Sequence, residues 1–231
     1  MLILVFDTET TGLPKTKFIN PHALTEWPYI VQLSYLIYDT DINDIICMCD
    51  HIIKLPDGIN IPEDSAKIHG ITNELSNKKG ENIEIILEDF FRNLQQCDEI
   101  VGHNISFDIN MIKIELLRII YAPTLPSDNY LKYIKLNLHF LNNLKNIQCT
   151  LRNSIELCNI QAVSKGGKQY LKFPKLIELH EKLFTTRPNN LHNALNDILI
   201  TLRCHMKIKY NIDLLDKCST FINNVKILGL I

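Results

Sequence analysis

The sequence predicts an α/β domain with a mixed sheet flanked by helices. Three strand-like segments come first, and helices then alternate with further strand-like residues, an order typical of a mixed sheet. A length of 231 residues, with 46% hydrophobic and 22% charged residues, suits one globular domain with a full core. We expect this domain to span residues 1–209, with residues 210–231 as a C-terminal extension packed on it.

Strands are predicted from apolar runs near the amino terminus. The three predicted strands span residues 2–7, 30–38 and 45–55. Polar residues 39–44 separate the last two and suit a hairpin turn. Residues 14–28 form a long loop in which Trp27 and Tyr29 are expected to pack the loop onto the sheet, with base stacking as the alternative.

Helices are predicted where apolar residues recur at helical spacing. They span residues 63–69, 81–97, 107–121, 151–159, 174–184 and 193–209. Weaker signals predict a helix start at residues 71–74 and a strand at residues 99–102. Residues 122–146 are expected to be irregular, because Pro123, Pro126 and Asp128 are three possible breaks.

Charge and cysteine content restrict the classes of protein. With a net charge of −2, nucleic acid would have to be held locally or through metal ions. The seven cysteines predict reduced thiols, with no disulfide framework and no zinc site, because Cys47 and Cys49 are too close in sequence for a zinc knuckle. No apolar run is long enough for a membrane span, and the first run does not resemble a secretory signal. We therefore expect an intracellular protein, cytoplasmic or nuclear and not secreted, without a membrane partner.

Two acids stand at the end of the first predicted strand, in the segment Asp7-Thr8-Glu9-Thr10-Thr11-Gly12. Because side chains alternate along a strand, Asp7 and Glu9 should point to the same side. Neighbouring carboxylates repel each other unless a cation binds them, and Mg²⁺ prefers such hard oxygen ligands. The alternative is a pair of solvated acids on an edge strand.

Two further acids and a histidine occupy suggestive positions. Asp108 begins an apolar helix, where the alternative is an acid that only stabilises the helix N-terminus. Asp197 lies among the apolar positions of the helix 193–209, where an acid is unusual unless it is paired or bound to a ligand. His192 precedes that helix, although a lone histidine is commonly a surface or core residue.

Four segments, in this order, resemble the motifs of the DEDDh (DnaQ-like) 3′–5′ exonucleases of the ribonuclease H-like superfamily. They are Asp7-Thr8-Glu9-Thr10-Thr11-Gly12-Leu13, Lys67-Ile68-His69-Gly70-Ile71-Thr72, Gly102-His103-Asn104-Ile105-Ser106-Phe107-Asp108 and His192-Asn193-Ala194-Leu195-Asn196-Asp197. The resemblance covers roughly residues 1–207 and makes residues 1–209 the exonuclease domain. It implies a ribonuclease H-like mixed sheet, with three antiparallel strands followed by parallel strands and helices on both faces. His192, five residues before Asp197, indicates the histidine type of site, since a tyrosine type needs tyrosine where Asn193 stands.

The resemblance implies a role for each matching residue. The catalytic set consists of four acids that hold two divalent metal ions, Asp7, Glu9, Asp108 and Asp197, and of the general base His192. Mg²⁺ is the expected ion, with Mn²⁺ as a substitute. The implied substrate-binding residues are Thr10, Thr11, Gly12, Leu13, His69, Asn104 and Phe107. Two ions about 3.5–4 Å apart can bridge a scissile phosphate and assist both the attacking and the leaving oxygen.

The activity that the resemblance implies is removal of nucleoside 5′-monophosphates from the 3′ end of single-stranded or frayed DNA. A 3′–5′ exoribonuclease is the alternative within the same class, because no residue is identified that reads a 2′-hydroxyl. Alternatives from other classes are a non-catalytic, polymerase-associated nucleic-acid-binding module and a hydrolase of small phosphoesters. The expected partner is a DNA 3′ end, with RNA, a DNA polymerase or a second copy of the chain as further candidates. Proofreading, DNA repair and RNA trimming all remain open.

Other polar residues receive structural interpretations. His103 is expected to be structural. Three lysines in and after the loop 164–168 are expected to be solvated, with contacts to a phosphate backbone as the alternative. They are Lys165, Lys168 and Lys172.

Overall fold

The computed structural model describes residues 1–122 and 126–230. Its main sheet has five strands in the order β3-β2-β1-β4-β5. The strands are β1 (Leu2–Thr10), β2 (Ile30–Asp39), β3 (Asp44–Ile52), β4 (Glu99–Gly102) and β5 (Ile147–Cys149). β1, β2 and β3 are antiparallel, whereas β4 and β5 add in parallel on the other side of β1. The predicted mixed sheet is confirmed.

The central strand β1 extends beyond its neighbour β4. It pairs with β2 along its whole length, from Leu2 opposite Asp39 to Thr10 opposite Ile30. Its pairing with β4 ends at Val5. The last residues of β1 therefore lie past the end of β4, where side chains from the following helices can reach them.

Ten α-helices are described, and most follow the predictions. They are α1 (Glu63–His69), α2 (Asn73–Lys79), α3 (Ile83–Leu94), α4 (Ser106–Ile120), α5 (Asp128–Asn142), α6 (Thr150–Asn153), α7 (Ile155–Cys158), α8 (Leu176–Phe184), α9 (Ala194–Tyr210) and α10 (Ser219–Ile227). α1 ends as predicted at Gly70, whose φ of 77° is the left-handed conformation that glycine adopts without strain. None of these helices is long and apolar enough to cross a membrane.

The alternation of side chains along β1 divides the core into two clusters. Leu4 and Phe6 belong to the cluster that includes the apolar residues of α3, α4 and α5. Ile3 and Val5 belong to the second cluster, with the apolar residues of α8, α9 and α10. Helices thus cover both faces of the sheet, as predicted. Trp27 is only 4% exposed and packs in the first cluster, which confirms its expected role in holding the long loop.

The prediction that residues 122–146 are irregular is wrong. Most of this stretch forms α5, and strand β5 follows it. Ser127 caps the helix by accepting a hydrogen bond from the Tyr130 amide, and Asp128 is a favourable acid in the first turn. Ile134 and Leu141 bury the apolar face of α5 in the first cluster. Pro123, one of the expected breaks, lies outside the described residues.

Smaller corrections concern the second half of the chain. The predicted helix 151–159 is two short helices, α6 and α7, interrupted at Ser154. The loop 164–168 is the tip of a hairpin formed by β6 (Gln161–Val163) and β7 (Gln169–Leu171). Lys172, next to this hairpin, donates to Glu178 over 2.6 Å and thus has a partner within the protein.

The residues after α9 pack on the second cluster. A short 3-10 helix and α10 fill this segment, and Phe221, Val225 and Leu230 are buried there. These contacts agree with an extension that docks on its own core. The division into a domain of residues 1–209 and an extension of residues 210–231 stays a prediction, and residue 231 is not among the described ones.

Candidate active site

The four predicted acids come from three separate elements that meet at the end of β1. Asp7 and Glu9 lie in β1, Asp108 lies in the first turn of α4, and Asp197 lies in the first turn of α9. One carboxylate oxygen from each of Asp7, Glu9 and Asp197 lies within 4.8 Å of the others. Side chains distant in sequence therefore form one acidic cluster.

Asp108 is held beside this cluster by the residue between the two strand acids. Its Oδ1 atom accepts a hydrogen bond from the Thr8 amide over 3.0 Å and another from the Thr8 hydroxyl over 2.7 Å. Asp108 is 2% exposed. Thr8 was not singled out in the sequence, although its place between Asp7 and Glu9 on the opposite side of the strand was a usable signal.

Burial and mutual repulsion disfavour the charged form of every acid in the cluster. Burial, with repulsion from Asp108, Asp197 and Glu9, raises the pKa of Asp7 well above its ordinary value. Burial, with repulsion from Asp197 and Asp108, raises the pKa of Glu9 to about 8. Burial also raises the pKa of Asp108 and Asp197, although hydrogen bonds partly oppose it. A set of hard oxygen donors that repel one another fits a divalent cation, because the cation would offset their charge.

His192 lies at the edge of the acidic cluster. Its backbone amide donates to Asp197 Oδ1 over 3.3 Å, and its φ of 69° lets the chain turn sharply before α9 begins. Its side chain is exposed. The predicted position of His192 at the start of this helix is therefore observed, and its role as a base stays a prediction.

A cavity of about 610 Å³ opens beside the acids. This volume is within the usual range for small-molecule sites. Besides Asp7, Asp197 and His192, its wall includes His103, Asn104, Phe173, Pro174, Lys175, Asn190 and Leu191. The cavity thus joins three of the predicted catalytic residues to a volume that a nucleotide-sized group could enter.

Comparison with known proteins identifies the family. The exonuclease family model RNase_T matches residues 4–204. The chain belongs to this exonuclease family. The matched range contains all four motifs, so the resemblance to DnaQ-like exonucleases is confirmed. No curated protein matches the sequence significantly.

Solved structures of exonuclease I have the same fold. The complex of Escherichia coli exonuclease I with a dT13 oligonucleotide is 18% identical, with a TM-score of 0.55 over 89% of this chain and 41% of that chain. The zinc-bound complex of the same enzyme with single-stranded DNA is 20% identical, with a TM-score of 0.55 over 93% and 42%. Exonuclease I from Methylocaldum szegediense is 17% identical, with a TM-score of 0.53 over 98% and 43%. The ribonuclease H-like fold is confirmed, and this exonuclease-family chain spans less than half the length of these three.

The predicted substrate segment after β1 is partly occupied by contacts within the protein. The Thr10 hydroxyl donates to the Gly12 carbonyl over 2.7 Å. The Thr11 amide donates to the Tyr29 carbonyl over 2.9 Å, and the Thr11 hydroxyl accepts from the Tyr29 amide over 3.0 Å. The Leu13 side chain is 83% exposed. The Leu13 side chain is therefore accessible for the predicted apolar contact with a base. The Thr11 amide already has a hydrogen-bond partner within the protein.

The other predicted substrate residues divide into two groups. Asn104 is exposed and lines the cavity. His69 and Phe107 are not among the residues that line it. His69 is 5% exposed, its Nδ1 atom accepts from the Ile71 amide over 3.1 Å, and burial lowers its pKa. Phe107 is half-buried against the first core cluster.

His103 connects the third motif to the far wall of the cavity. Its Nδ1 atom lies 3.0 Å from the Thr150 hydroxyl, and its Nε2 atom lies 3.1 Å from the Pro174 carbonyl oxygen. Burial lowers the pKa of His103 to about 4, so the ring is neutral at physiological pH. These contacts agree with the expected structural role. The loop of Phe173 to Lys175 was missed as a site element, and its exposed phenylalanine was the available signal.

Proposed function

We propose that this chain is a metal-dependent 3′–5′ exonuclease that releases nucleoside 5′-monophosphates from single-stranded or frayed DNA. The observation that carries the proposal is the convergence of Asp7, Glu9 and Asp197 within 4.8 Å beside a cavity, in a chain of the exonuclease family. Structures of the related exonuclease I enzymes are described as complexes with DNA oligonucleotides, which favours single-stranded DNA as the substrate.

In this proposal the four acids hold two divalent ions, Mg²⁺ in the cell and Mn²⁺ as a substitute. Four carboxylates offset the charge of two such ions. Asp108 Oδ1 already accepts two hydrogen bonds from Thr8, so its Oδ2 atom is the proposed ligand. When bound, the ions supply charge neutralisation for the scissile phosphate and make a nucleophile from water at neutral pH.

The proposed base is His192. Its exposed side chain borders the cavity that Asp7 and Asp197 also line, and its backbone is anchored to Asp197. A histidine in this place would take the proton of the attacking water, a contribution of about 10²–10⁴-fold in rate. Asn104 and the exposed Leu13 are proposed to position the terminal nucleotide, Leu13 by packing against its base.

Alternative functions make different demands on the same residues. A non-catalytic module would have no need for the full set of acids and the histidine, which argues against lost chemistry. An exoribonuclease needs the same site, so DNA and RNA must be compared directly. Association with a DNA polymerase or a second copy, a role in repair or proofreading, and an intracellular location stay predictions.

The experiment follows degradation of a 5′-labelled single-stranded oligonucleotide in Mg²⁺, in Mn²⁺ and in chelator. We expect stepwise shortening from the 3′ end, nucleoside 5′-monophosphates as products, and no reaction in chelator. Asp7→Asn should abolish activity, whereas Asp57→Asn, at an exposed acid outside the site, should not. Metal-dependent activity that survives Asp7→Asn would refute the proposed metal site. Initial rates on matched DNA and RNA then decide the substrate class.

A second experiment isolates the histidine. His192→Ala should bind Mn²⁺ and DNA as the unaltered chain does, with turnover lower by about 10²–10⁴-fold. Unchanged turnover would remove His192 from the mechanism without affecting the proposed metal ligands.

A further inference from the structure

A second cluster of potential metal ligands lies on the edge strand β3. Cys47, Cys49 and His51 occupy alternate positions, so their side chains share one face of the strand. Asp89 in α3 packs over this face. One ligand atom from each of Cys49, His51 and Asp89 lies within 4.8 Å of the others. The Cys47 sulfur lies 3.7 Å from the Cys49 sulfur but is not part of this set.

This cluster is separate from the proposed active site. Cys49 pairs across the sheet with Tyr35, and Tyr35 pairs with Phe6, a residue of the first core cluster. Asp7 and Glu9 alternate with Phe6 along β1 and therefore face the opposite side of the sheet. The β3 cluster is thus on the opposite face of the sheet from the strand acids Asp7 and Glu9.

The His51 ring is oriented as in many metal sites. Its Nδ1 atom lies 2.9 Å from Glu81 Oε1. Its Nε2 atom is buried, and within the described part of the chain it has no hydrogen-bond partner. Metal-binding histidines commonly donate a hydrogen bond from one ring nitrogen to a carboxylate while the other nitrogen binds the ion. The carboxylate fixes the orientation of the ring. A buried polar atom without a partner also requires an explanation, which a bound ion would supply.

The Asp89 carboxylate is positioned from outside the cluster. The Tyr35 hydroxyl donates to its Oδ2 atom, and the Arg92 guanidinium lies 3.3 Å from its Oδ1 atom. Asn93 donates to the same carboxylate over 3.4 Å. The Tyr35 contact ties the third ligand to β2, the neighbour of β3, while Arg92 and Asn93 orient the carboxylate from within α3.

We propose that Cys49, His51 and Asp89 bind a zinc ion that joins the edge strand β3 to α3. A thiolate, an imidazole and a carboxylate form a set that zinc accepts, with water in the fourth position, whereas Mg²⁺ requires oxygen ligands. Tetrahedral bonds of about 2.0–2.3 Å place the ligand atoms about 3.3–3.6 Å apart, so small side-chain rotations complete the site. The sequence spacing of Cys47 and Cys49 does not match a zinc knuckle. That criterion overlooks a strand, on which alternate residues such as Cys49 and His51 lie on one face.

The test uses the full chain carrying Asp7→Asn and Glu9→Gln, so that the active-site acids do not contribute. Co²⁺ is added to the reduced, metal-free protein. We expect one equivalent to produce thiolate–cobalt charge-transfer absorption and the visible bands of four-coordinate cobalt, and Zn²⁺ to displace it. Zinc at about 100 times its Kd should raise the thermal midpoint by about 5–10 °C.

Variants in that background identify the ligands. Cys49→Ser should remove the thiolate–cobalt absorption and the thermal shift, whereas Cys158→Ser, at a half-buried cysteine elsewhere, should keep both. Glu81→Gln should weaken binding by about 10–100-fold through the His51 ring. Its side chain is 52% exposed, so this variant tests the site even if Cys49→Ser does not fold.

Three results would overturn the proposal. They are the absence of thiolate–cobalt absorption, absorption that persists in Cys49→Ser, and unchanged affinity in Glu81→Gln. Because the two proposed sites share no residue, each result is independent of whether the unaltered chain degrades DNA in Mg²⁺.

Discussion

Arg118 in α4 holds the long loop before β2, and its replacement gives the sharpest test of the fold around the site. Its Nη1 atom donates to the buried Glu115 carboxylate over 2.6 Å. Its Nη2 atom donates to three loop carbonyls at 2.7–3.2 Å, those of Leu24, Trp27 and Pro28. The guanidinium also lies 3.6 Å above the Tyr29 ring. Tyr29 pairs with Thr11, so Arg118 supports the segment proposed to bind the terminal nucleotide.

Arg118→Met keeps most of the apolar stem and removes these contacts. Glu115, only 5% exposed, loses its charge partner. Removing one partner of a buried ion pair lowers the free energy of unfolding by about 3–5 kcal/mol. Burial already raises the pKa of Glu115, despite the opposing charge of Arg118, so the carboxyl can take up a proton in the variant. We therefore expect the lower limit, about 3 kcal/mol, or a thermal midpoint lower by about 6–12 °C.

Urea and thermal unfolding would measure this difference. Arg187→Met is the matched control, because Arg187 pairs over 2.9 Å with Glu181 at an exposed position. The control should change the free energy of unfolding by less than about 1 kcal/mol. If Arg118→Met were as stable as Arg187→Met, the buried pair would not hold the loop.

Three further predictions concern other parts of the fold. Glu9→Gln should lose nuclease activity but gain about 1 kcal/mol of stability in chelator at neutral pH, because the pKa of Glu9, raised to about 8, means that folding must neutralise this carboxylate, and glutamine removes that cost. A lower thermal midpoint of the variant in chelator would contradict this. Burial raises the pKa of Glu99, but side-chain contacts with His205 and Lys209 outweigh it and lower the pKa below its ordinary 4.5. The lowered pKa stabilises the protein above that pH, and this stability is lost as pH falls through the folded-state pKa. Lys209→Met removes part of the shift, so its free energy of unfolding should fall less between neutral and acidic pH than that of the unaltered chain. Equal losses in the two proteins would exclude this role of Lys209. In Gly80→Ala, the added Cβ would lie 2.2 Å from a backbone oxygen, so this variant should be less stable by about 1–3 kcal/mol or more. In the control Gly166→Ala, no described atom lies within 4 Å of the added Cβ, so stability should change by less than about 0.5 kcal/mol. Urea unfolding measures both differences.

Local patterns in the sequence were sufficient for most elements of the fold. The end of α1 at Gly70 and the hairpin between β2 and β3 depend on neighbouring residues only. Such signals failed where a boundary residue had two interpretations. Asp128, for example, can break a helix or begin one, and the burial of Ile134 and Leu141 favours the helix. Short strands such as β5 carry too few residues for a periodic pattern.

The sequence alone identified the chemically important segments, because carboxylates at two-residue spacing on a strand and acids among apolar helix positions are visible without coordinates. Only the tertiary structure decided which of these atoms meet. It placed Asp197 beside Asp7, it brought Thr8 to Asp108, and it put Asp89 over the cysteines of β3. The physical reason is that side-chain direction repeats over two residues in a strand, whereas contacts between distant elements depend on how the whole core packs.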